Sequence, residues 1–370
     1  MKIAIVGCGW VADYYMATLA DHPSLTVTGA MDRIADRAER FSAYWKVPGY
    51  GAAEDLLAAC EFDMVLNLTN PSSHHEVSRR FLSAGKHVYS EKPLAMSFAD
   101  AADLVSFAQS KGLVITGAPC NHLGEAAQAA KRALDAGKIG HPRVIYSEMD
   151  ANFIALSTYK QWRSVSGAPW PYEDEFEVGC TLEHAGYCLS WMMFMFGPVS
   201  RVVSFASLQH PGKPIGDGRE GPDFSVTSLQ FHNGMAARLT CSVLAPRDHR
   251  MTIVGDGGVM RIDDLWRYEC PVTVRSYLTL RRRFMLSPLS RRVPLTSTGP
   301  KSKRRGSAAM DFARGPAEVA AALKAGRRSN IPADFVLHLN EVALAIGGTE
   351  VDYRTTTTFE PLGFVEAPIR

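Results

Sequence analysis

The run Lys2-Ile-Ala-Ile-Val-Gly7 breaks into Gly7-Cys-Gly9-Trp10-Val11-Ala12, and no other stretch restricts the fold of this chain so tightly. A short apolar strand followed at once by a GxGxxA pattern is a strand-to-helix turn of a particular kind. Gly7 permits the tight turn, Gly9 leaves room for a pyrophosphate at the helix N-terminus, and Ala12 lets helix and strand pack closely. By itself the pattern is weak, because such glycine spacings also occur by chance. A helical stretch (12–21) and a second apolar strand, LTVTGAMD, follow it, and that strand ends in Asp32. A carboxylate there accepts hydrogen bonds from adenosine ribose hydroxyls and repels a 2′-phosphate, which favours NAD. Arg33 beside it keeps NADP open, since a guanidinium pairs with phosphate. Asp32 also reads as a helix N-cap for the segment that begins at Ile34.

The alternation continues with strands at 63–68, 86–90 and 113–117 and helices at 73–84 and 98–111. That order predicts an α/β fold: a doubly wound parallel sheet with crossover helices. Three loops should then lie at the carboxyl ends of strands: Gly7–Val11, Thr69–His74 and Ser90–Pro93. The 370 residues suffice for two domains, divided here as 1–120 and 121–370. A net charge of +2 carries no global pull toward nucleic acid, and no apolar run approaches the ~20 residues of a bilayer span. The chain shows no signal-peptide pattern. Its seven cysteines form no CxxC pair and read as reduced thiols, which points to the cytoplasm.

Ser90-Glu91-Lys92-Pro93 is the most specific feature. A lysine at the carboxyl end of a strand, beside a nicotinamide crevice, suits binding a substrate oxygen and moving its proton. The plain reading is a solvated Glu-Lys pair. Taken together, GxGxxA, Asp32, TNPSSHHEVSRRFLSAGKHVYSEKPLA (69–95) and DFARGPAEVAAALKAGRR (311–328) resemble the glucose–fructose oxidoreductase / inositol dehydrogenase (Gfo/Idh/MocA) family of NAD(P)-dependent oxidoreductases. The resemblance implies a Rossmann domain followed by a C-terminal α/β domain with a large, mostly antiparallel open sheet that often serves oligomer contacts. It implies that Lys92 contacts the reacting oxygen and that Glu91 lies by the nicotinamide ribose. The loop residues Trp10, Val11, Thr69, Asn70 and His74 then belong with Gly7 and Gly9 in the cofactor site. The family's Thr-Pro-Asn order is exchanged here to Thr69-Asn70-Pro71, so Thr69 and His74 carry more weight than the two between. His75 has no role in the family and reads as a solvent-facing helix start.

The middle stretch Cys180-Thr-Leu-Glu-His-Ala-Gly-Tyr-Cys188 runs into LSWMMFMFG. The family places Asp-x-Gly-x-His-x-x-Asp before an apolar helix ending in Phe-Gly. Counted back from Phe196-Gly197, this chain supplies Glu183, Ala185, Tyr187 and Ser190. Tyr187 is therefore the candidate acid/base partner of Lys92, with Glu183 one turn behind on the same helical face. Cys180, His184 and Cys188 make a second stripe that suggests a metal box. Ligands at i, i+4 and i+8 spread over ~12 Å of rise, too far for one ion, so no metal is expected. His184 stays a rival to Tyr187.

Trp162, Arg163 and Trp170, with the acids that follow, suit a loop facing a polyhydroxylated ring or an ordinary surface loop. Residues 120–140 read as an amphipathic helix. The family often has an arginine at its start, where Asn121 and His122 stand here as the substrate contacts. From 271 to 310 there are ten basic residues and no acid. This basic arm reads as a solvated, partly disordered insertion, an oligomer contact or a patch for an anionic substrate. The expected activity is hydride transfer between NAD, with NADP open, and a secondary alcohol or ketone of a sugar, cyclitol or sugar nucleotide. A homodimer or homotetramer is expected, with neither nucleic acid nor membrane as partner. A glycosidase working by transient oxidation and a non-catalytic nucleotide-binding regulator are the alternatives.

Overall fold

Buried β-branched runs build the first of two sheets in the computed structural model, which describes residues 1–215, 220–297, 309–348 and 350–365. Its strands are β1 (Lys2–Val6), β2 (Thr26–Met31), β3 (Gly49–Tyr50), β4 (Met64–Asn67), β5 (His87–Ser90) and β6 (Ile115–Gly117). They lie in the order β3-β2-β1-β4-β5-β6, every neighbouring pair parallel. Ile3, Ala4 and Ile5 are all fully buried, as a strand covered on both faces requires. Helices α1 (Trp10–Leu19), α2 (Ala35–Trp45), α3 (Ala53–Ala59), α4 (His74–Ser83) and α5 (Phe98–Ser110) make the crossovers. The order reverses between β1 and β4, and a crevice opens over their carboxyl ends at such a point.

The second sheet is mixed. β7 (Pro142–Asp150) follows α6 (Glu125–Asp135), and after α7 (Tyr172–Val178) and α8 (Cys180–Phe196) come β8 (Val199–Ser207), β9 (Phe224–Phe231), β10 (Ala236–Ser242), β11 (Met251–Gly255) and β12 (Gly258–Ile262). β13 (Val272–Leu280), β14 (Arg283–Leu286) and β15 (Arg291–Arg292) extend one edge. α9 (Arg314–Ala325), α10 (Ala333–Gly347) and β16 (Asp352–Arg354) close the chain. The order is β14-β13-β12-β11-β7-β10-β9-β8-β16 with β15 on β13, and only β7 and β10 pair in parallel. Inward and outward residues alternate strictly: Leu229 on β9 is buried, while Val226 is exposed. One face of this sheet packs on helices and the other is open.

α8 lies between the sheet and the rest of the molecule. Leu189, Trp191 and Met192 are fully buried, which accounts for an apolar run with no polar stripe. Gly179 (φ +85°) divides α7 from α8; a Cβ there would come within 2.8 Å of the Pro222 carbonyl oxygen, so the break needs glycine. The helix expected over 120–140 is shorter. Extended backbone at Gly124 delays it to Glu125, and Asn121–Leu123 form one 3-10 turn. The first part of the basic arm, expected as loose chain, is strand, for VTVRSYLTL carries the period-two, β-branched signal that its charge obscures. Its residues 298–308 lie outside the described residues. No helix among the described residues is long and apolar enough to cross a membrane.

Candidate active site

Gly7 turns the chain after β1 with φ +96°, and a Cβ there would come within 2.5 Å of the Leu68 carbonyl oxygen. Glycine is thus required by the approach of β4. Gly9 differs: a Cβ on it would meet no protein atom within 4 Å. The space beside it serves something other than the protein's own packing, and Gly9 lines a cavity of about 670 Å³. Gly9 caps α1 without a side-chain hydrogen bond, so the first-turn N–H groups keep their capacity for an anion. These residues fit the pyrophosphate of a dinucleotide. Asp32 is buried and already engaged: Oδ2 accepts from Cys8 N–H (2.9 Å) and Oδ1 from Ile34 N–H (2.8 Å). It braces the glycine loop and turns the chain toward α2. Each oxygen retains a second acceptor site, so ribose binding is compatible with this bracing. Arg33 is exposed and does not line the cavity; Arg37, one turn into α2, does.

The loop after β4 is tied down from behind. Asn67 is fully buried; its Oδ1 accepts from Thr69 Oγ1 (2.6 Å), and its Nδ2 donates to the His74 carbonyl (3.1 Å) and Ser78 Oγ (2.9 Å). His74 is buried beneath the loop, with Nδ1 2.6 Å from the Pro93 carbonyl and Nε2 3.0 Å from the Thr69 carbonyl. It joins the loop after β4 to the loop after β5 without reaching the cavity. Thr69 and Asn70 do reach it, with Trp10 and Val11 opposite. His75 is half-buried and pairs with Asp103.

Lys92 and Glu91 follow β5. Glu91 is buried, accepting from Tyr15 Oη (2.7 Å) and from the Lys92 N–H (3.0 Å), and burial raises its pKa. Lys92 Nζ hydrogen-bonds the Glu183 carboxylate, which comes from the first turn of α8. Burial works most strongly against the Lys92 ammonium, but Glu183 and, after it, Tyr187, Glu175 and Glu91 together outweigh it and raise the pKa. Burial likewise opposes charge on Glu183, and Lys92 outweighs it there, holding the carboxyl below its usual range. Tyr187, one turn on from Glu183, lines the same cavity, and its hydroxyl makes no hydrogen bond among the described residues. Burial holds it a phenol.

His184 also lines the cavity, its ring centroid 5.9 Å from that of Trp266. Burial pushes its pKa down to about 4, so it is neutral near pH 7. Trp266 packs as well on Tyr187 (5.5 Å) and His249 (4.2 Å), giving that part of the cavity an aromatic floor. Cys188 receives a hydrogen bond from Ser147 on β7, while Cys180 faces the Cys241 carbonyl on β10. The stripe therefore diverges, and among the described residues no three His, Cys, Asp or Glu side chains are grouped to hold an ion.

Trp162 and Trp170 close the cavity from the loop after β7, whereas Arg163 is exposed and bonds the carbonyls of Lys160 and Trp162. The same loop latches onto the first sheet's helices. Ser166 N–H and Oγ donate to Asp13 Oδ2 (3.0 and 2.7 Å), and Arg40 Nη1 reaches the Gly167 carbonyl (3.4 Å). Asn121 and His122 lie behind the wall rather than on it. Asn121 holds the Tyr187 and Leu265 carbonyls (3.1 and 3.0 Å), and His122 the Asn330 carbonyl (3.0 Å). Arg247, His249 and Trp266 on the wall come from the connections before β11 and after β12 and carry no local motif.

Residues 1–118 match the model of an oxidoreductase family with an NAD-binding Rossmann fold (GFO/IDH/MocA), and residues 127–261 match the GFO/IDH/MocA C-terminal domain. The trans-1,2-dihydrobenzene-1,2-diol dehydrogenase of Mus musculus is 25% identical over 273 residues, 72% of this chain and 75% of its own. The scyllo-inositol 2-dehydrogenase (NADP(+)) IolU of Bacillus subtilis is 25% identical over 273 residues, 73% and 78% of the two chains. Among solved structures, an Agrobacterium radiobacter oxidoreductase in complex with NAD+, L-tartaric acid and magnesium superposes with a TM-score of 0.75 at 17% identity, covering 96% of this chain and 98% of that one. The WlbA dehydrogenase of Bordetella pertussis, in complex with NADH and UDP-GlcNAcA, gives 0.72 at 17% identity over 94% of each chain.

Proposed function

The chain belongs to the GFO/IDH/MocA family of NAD(P)-dependent oxidoreductases, and on that premise we propose that it interconverts a secondary alcohol and a ketone on a sugar, cyclitol or sugar nucleotide. The observation that carries this reading is the buried Lys92–Glu183 pair at the end of β5, across one cavity from the glycine loop and beside the Tyr187 hydroxyl, which has no partner among the described residues. When bound, the nicotinamide supplies or accepts the hydride. The first turn of α1, Thr69, Asn70 and Glu91 would hold the cofactor. Lys92 would hold the substrate oxygen with the N–H bonds that Glu183 leaves free, since an ammonium has three. In oxidation Lys92 takes the hydroxyl proton as it gives one of its own to Glu183; in reduction the same proton returns. Tyr187 donates a second hydrogen bond to that oxygen. Trp162, Trp170 and Trp266 suit the apolar faces of a ring, and relatives named for cyclic diols and an inositol agree with that shape.

The test is a panel of cyclitols, sugars, sugar nucleotides and cyclic diols with both NAD and NADP, read by nicotinamide absorbance. Turnover of at least one class is expected. Release of free sugar without net NADH would instead favour a glycosidase, and a saturated enzyme indifferent to the whole panel would favour a regulator.

The open face of the second sheet supports self-association. Tyr146 on β7, Phe205 on β8 and Val226 on β9 stand on it, and Phe205 is 59% exposed. We read this face as the contact of a homodimer or homotetramer. Light scattering should report such a species and Phe205→Asp a smaller one; a monomeric wild type would end this reading. The seven free thiols, six of them buried, suit a cytoplasmic protein.

A further inference from the structure

α7 brings three acids, Glu173, Asp174 and Glu175, to the wall of the cavity, and Glu175 among them has no place in the chemistry above. Its carboxyl group lies against that of Glu183, so that burial and next the Glu183 charge raise its pKa, and both line the main cavity. They also share a second, narrow cavity behind it with Lys213 and Asp223. The helix is fixed rather than incidental: Asp174 Oδ2 accepts from Asn70 Nδ2 at 2.8 Å, which pins α7 to the loop after β4.

Two ionised carboxylates offer only acceptors, so a hydrogen bond between them needs one proton. The neighbours decide where it sits. Lys92 is the cation facing the pair in the main cavity, and its Nζ is on Glu183. Glu91 adds a further carboxyl group from the turn after β5, and Glu173, Asp174 and Glu177 add acids from α7, while Tyr187 and His184 on α8 are neutral near pH 7. Lys213 in the narrow cavity is already paired with Glu220 and Asp223. Glu183 therefore keeps the negative charge and Glu175 the proton.

We propose that Glu175 is a positioning residue: a neutral acid whose O–H donates to Glu183, keeping that carboxylate ionised and aimed at Lys92. The inference rests on the dehydrogenase reading above and deepens it, because the aim of Glu183 sets which way the Lys92 ammonium turns. In sequence the acids after Trp170 read together as a loop facing a ring or the solvent, with nothing to single out Glu175.

Glu175→Gln retains a donor and cannot ionise; Glu175→Leu removes the donor at similar volume. The glutamine variant should hold kcat within about threefold, and the leucine variant should lose about tenfold in kcat with KM little changed, the scale of one hydrogen bond to a charged group. With the donor gone, Glu183 protonates more readily, so the acid limb of the leucine variant's pH profile should move up. Wild type at neutral pH should also show the infrared carbonyl band of a buried, protonated carboxyl, and Glu175→Gln should lack it. That band needs neither substrate nor cofactor. If the leucine variant fails to fold, Glu175→Asp, which withdraws the acid by one methylene, replaces it with the same expected direction. Equal losses in both variants, no loss in either, or a carbonyl band unchanged in Glu175→Gln would overturn the proposal. A wild type that turns over nothing sinks the dehydrogenase reading instead, while the infrared result still decides where the proton lies.

Discussion

Lys92→Ala is expected to lower kcat by about 10²- to 10⁴-fold while the purified protein still retains its dinucleotide, the range for removing a positioned proton-transfer group. The two effects separate because different atoms carry them. Lys92 spends its ammonium on Glu183 and the cavity, whereas the loops that would cradle the cofactor are held by Asn67, Asp32 and the Leu68 backbone. Loss of the lysine leaves Glu183 buried without its cation, and burial then drives that carboxyl to take up a proton. The variant should accordingly fold, with the cost of a bare buried charge avoided by neutralisation. Native mass spectrometry for retained cofactor, beside turnover of the best substrate from the panel, checks both halves. A variant keeping a tenth of wild-type kcat would remove Lys92 from the chemistry. One that lost its dinucleotide would make it a cofactor ligand first.

Much of this arrangement is legible in the residues, for identifiable reasons. The first sheet follows from β-branched runs between glycine turns, because a parallel sheet buried on both faces needs continuous apolar strands. Glu183 and Tyr187 come from the family resemblance, counted back from Phe196-Gly197, and the local rule adds only that residues four apart share a helical face. The limits are equally physical. Asp32 reads as a ribose ligand or a helix cap, yet it spends both oxygens on backbone N–H groups of its own loops. Asn121 and His122 stand near the right place in sequence, but the extended backbone at Gly124 turns them inward to hold carbonyls. Trp266, His249 and Glu175 reach the cavity from segments far apart in the chain, and no spacing announces such a convergence. The basic arm shows the reverse error, where charge composition hides a plain strand alternation.

Between Tyr187 and His184 we propose Tyr187 as the proton donor, on what each side chain faces. Tyr187→Phe should cost about 10²-fold in kcat, and His184→Ala no more than about fivefold, both measured with the same substrate. The phenol opens onto the cavity with no hydrogen bond to the protein among the described residues, and burial keeps it protonated through the neutral range. It is thus a donor waiting for an oxygen. His184 has a buried Nδ1 with no hydrogen-bond partner among the described residues, and its ring rests on Trp266. Its pKa, pushed down to about 4 by burial and next by the Lys92 charge, leaves it neutral where the enzyme is assayed. The sign follows. A histidine with a lowered pKa gains its proton only in acid, so it adds no limb to the rate profile between about pH 6 and 8. His184→Ala should leave the profile's shape there intact and act mainly through KM, by loosening the packing on Trp266. Tyr187→Phe should lower kcat across the whole range, because the donor itself is gone. An acid limb near neutral pH that vanished in His184→Ala would reverse the assignment and make the histidine the proton carrier.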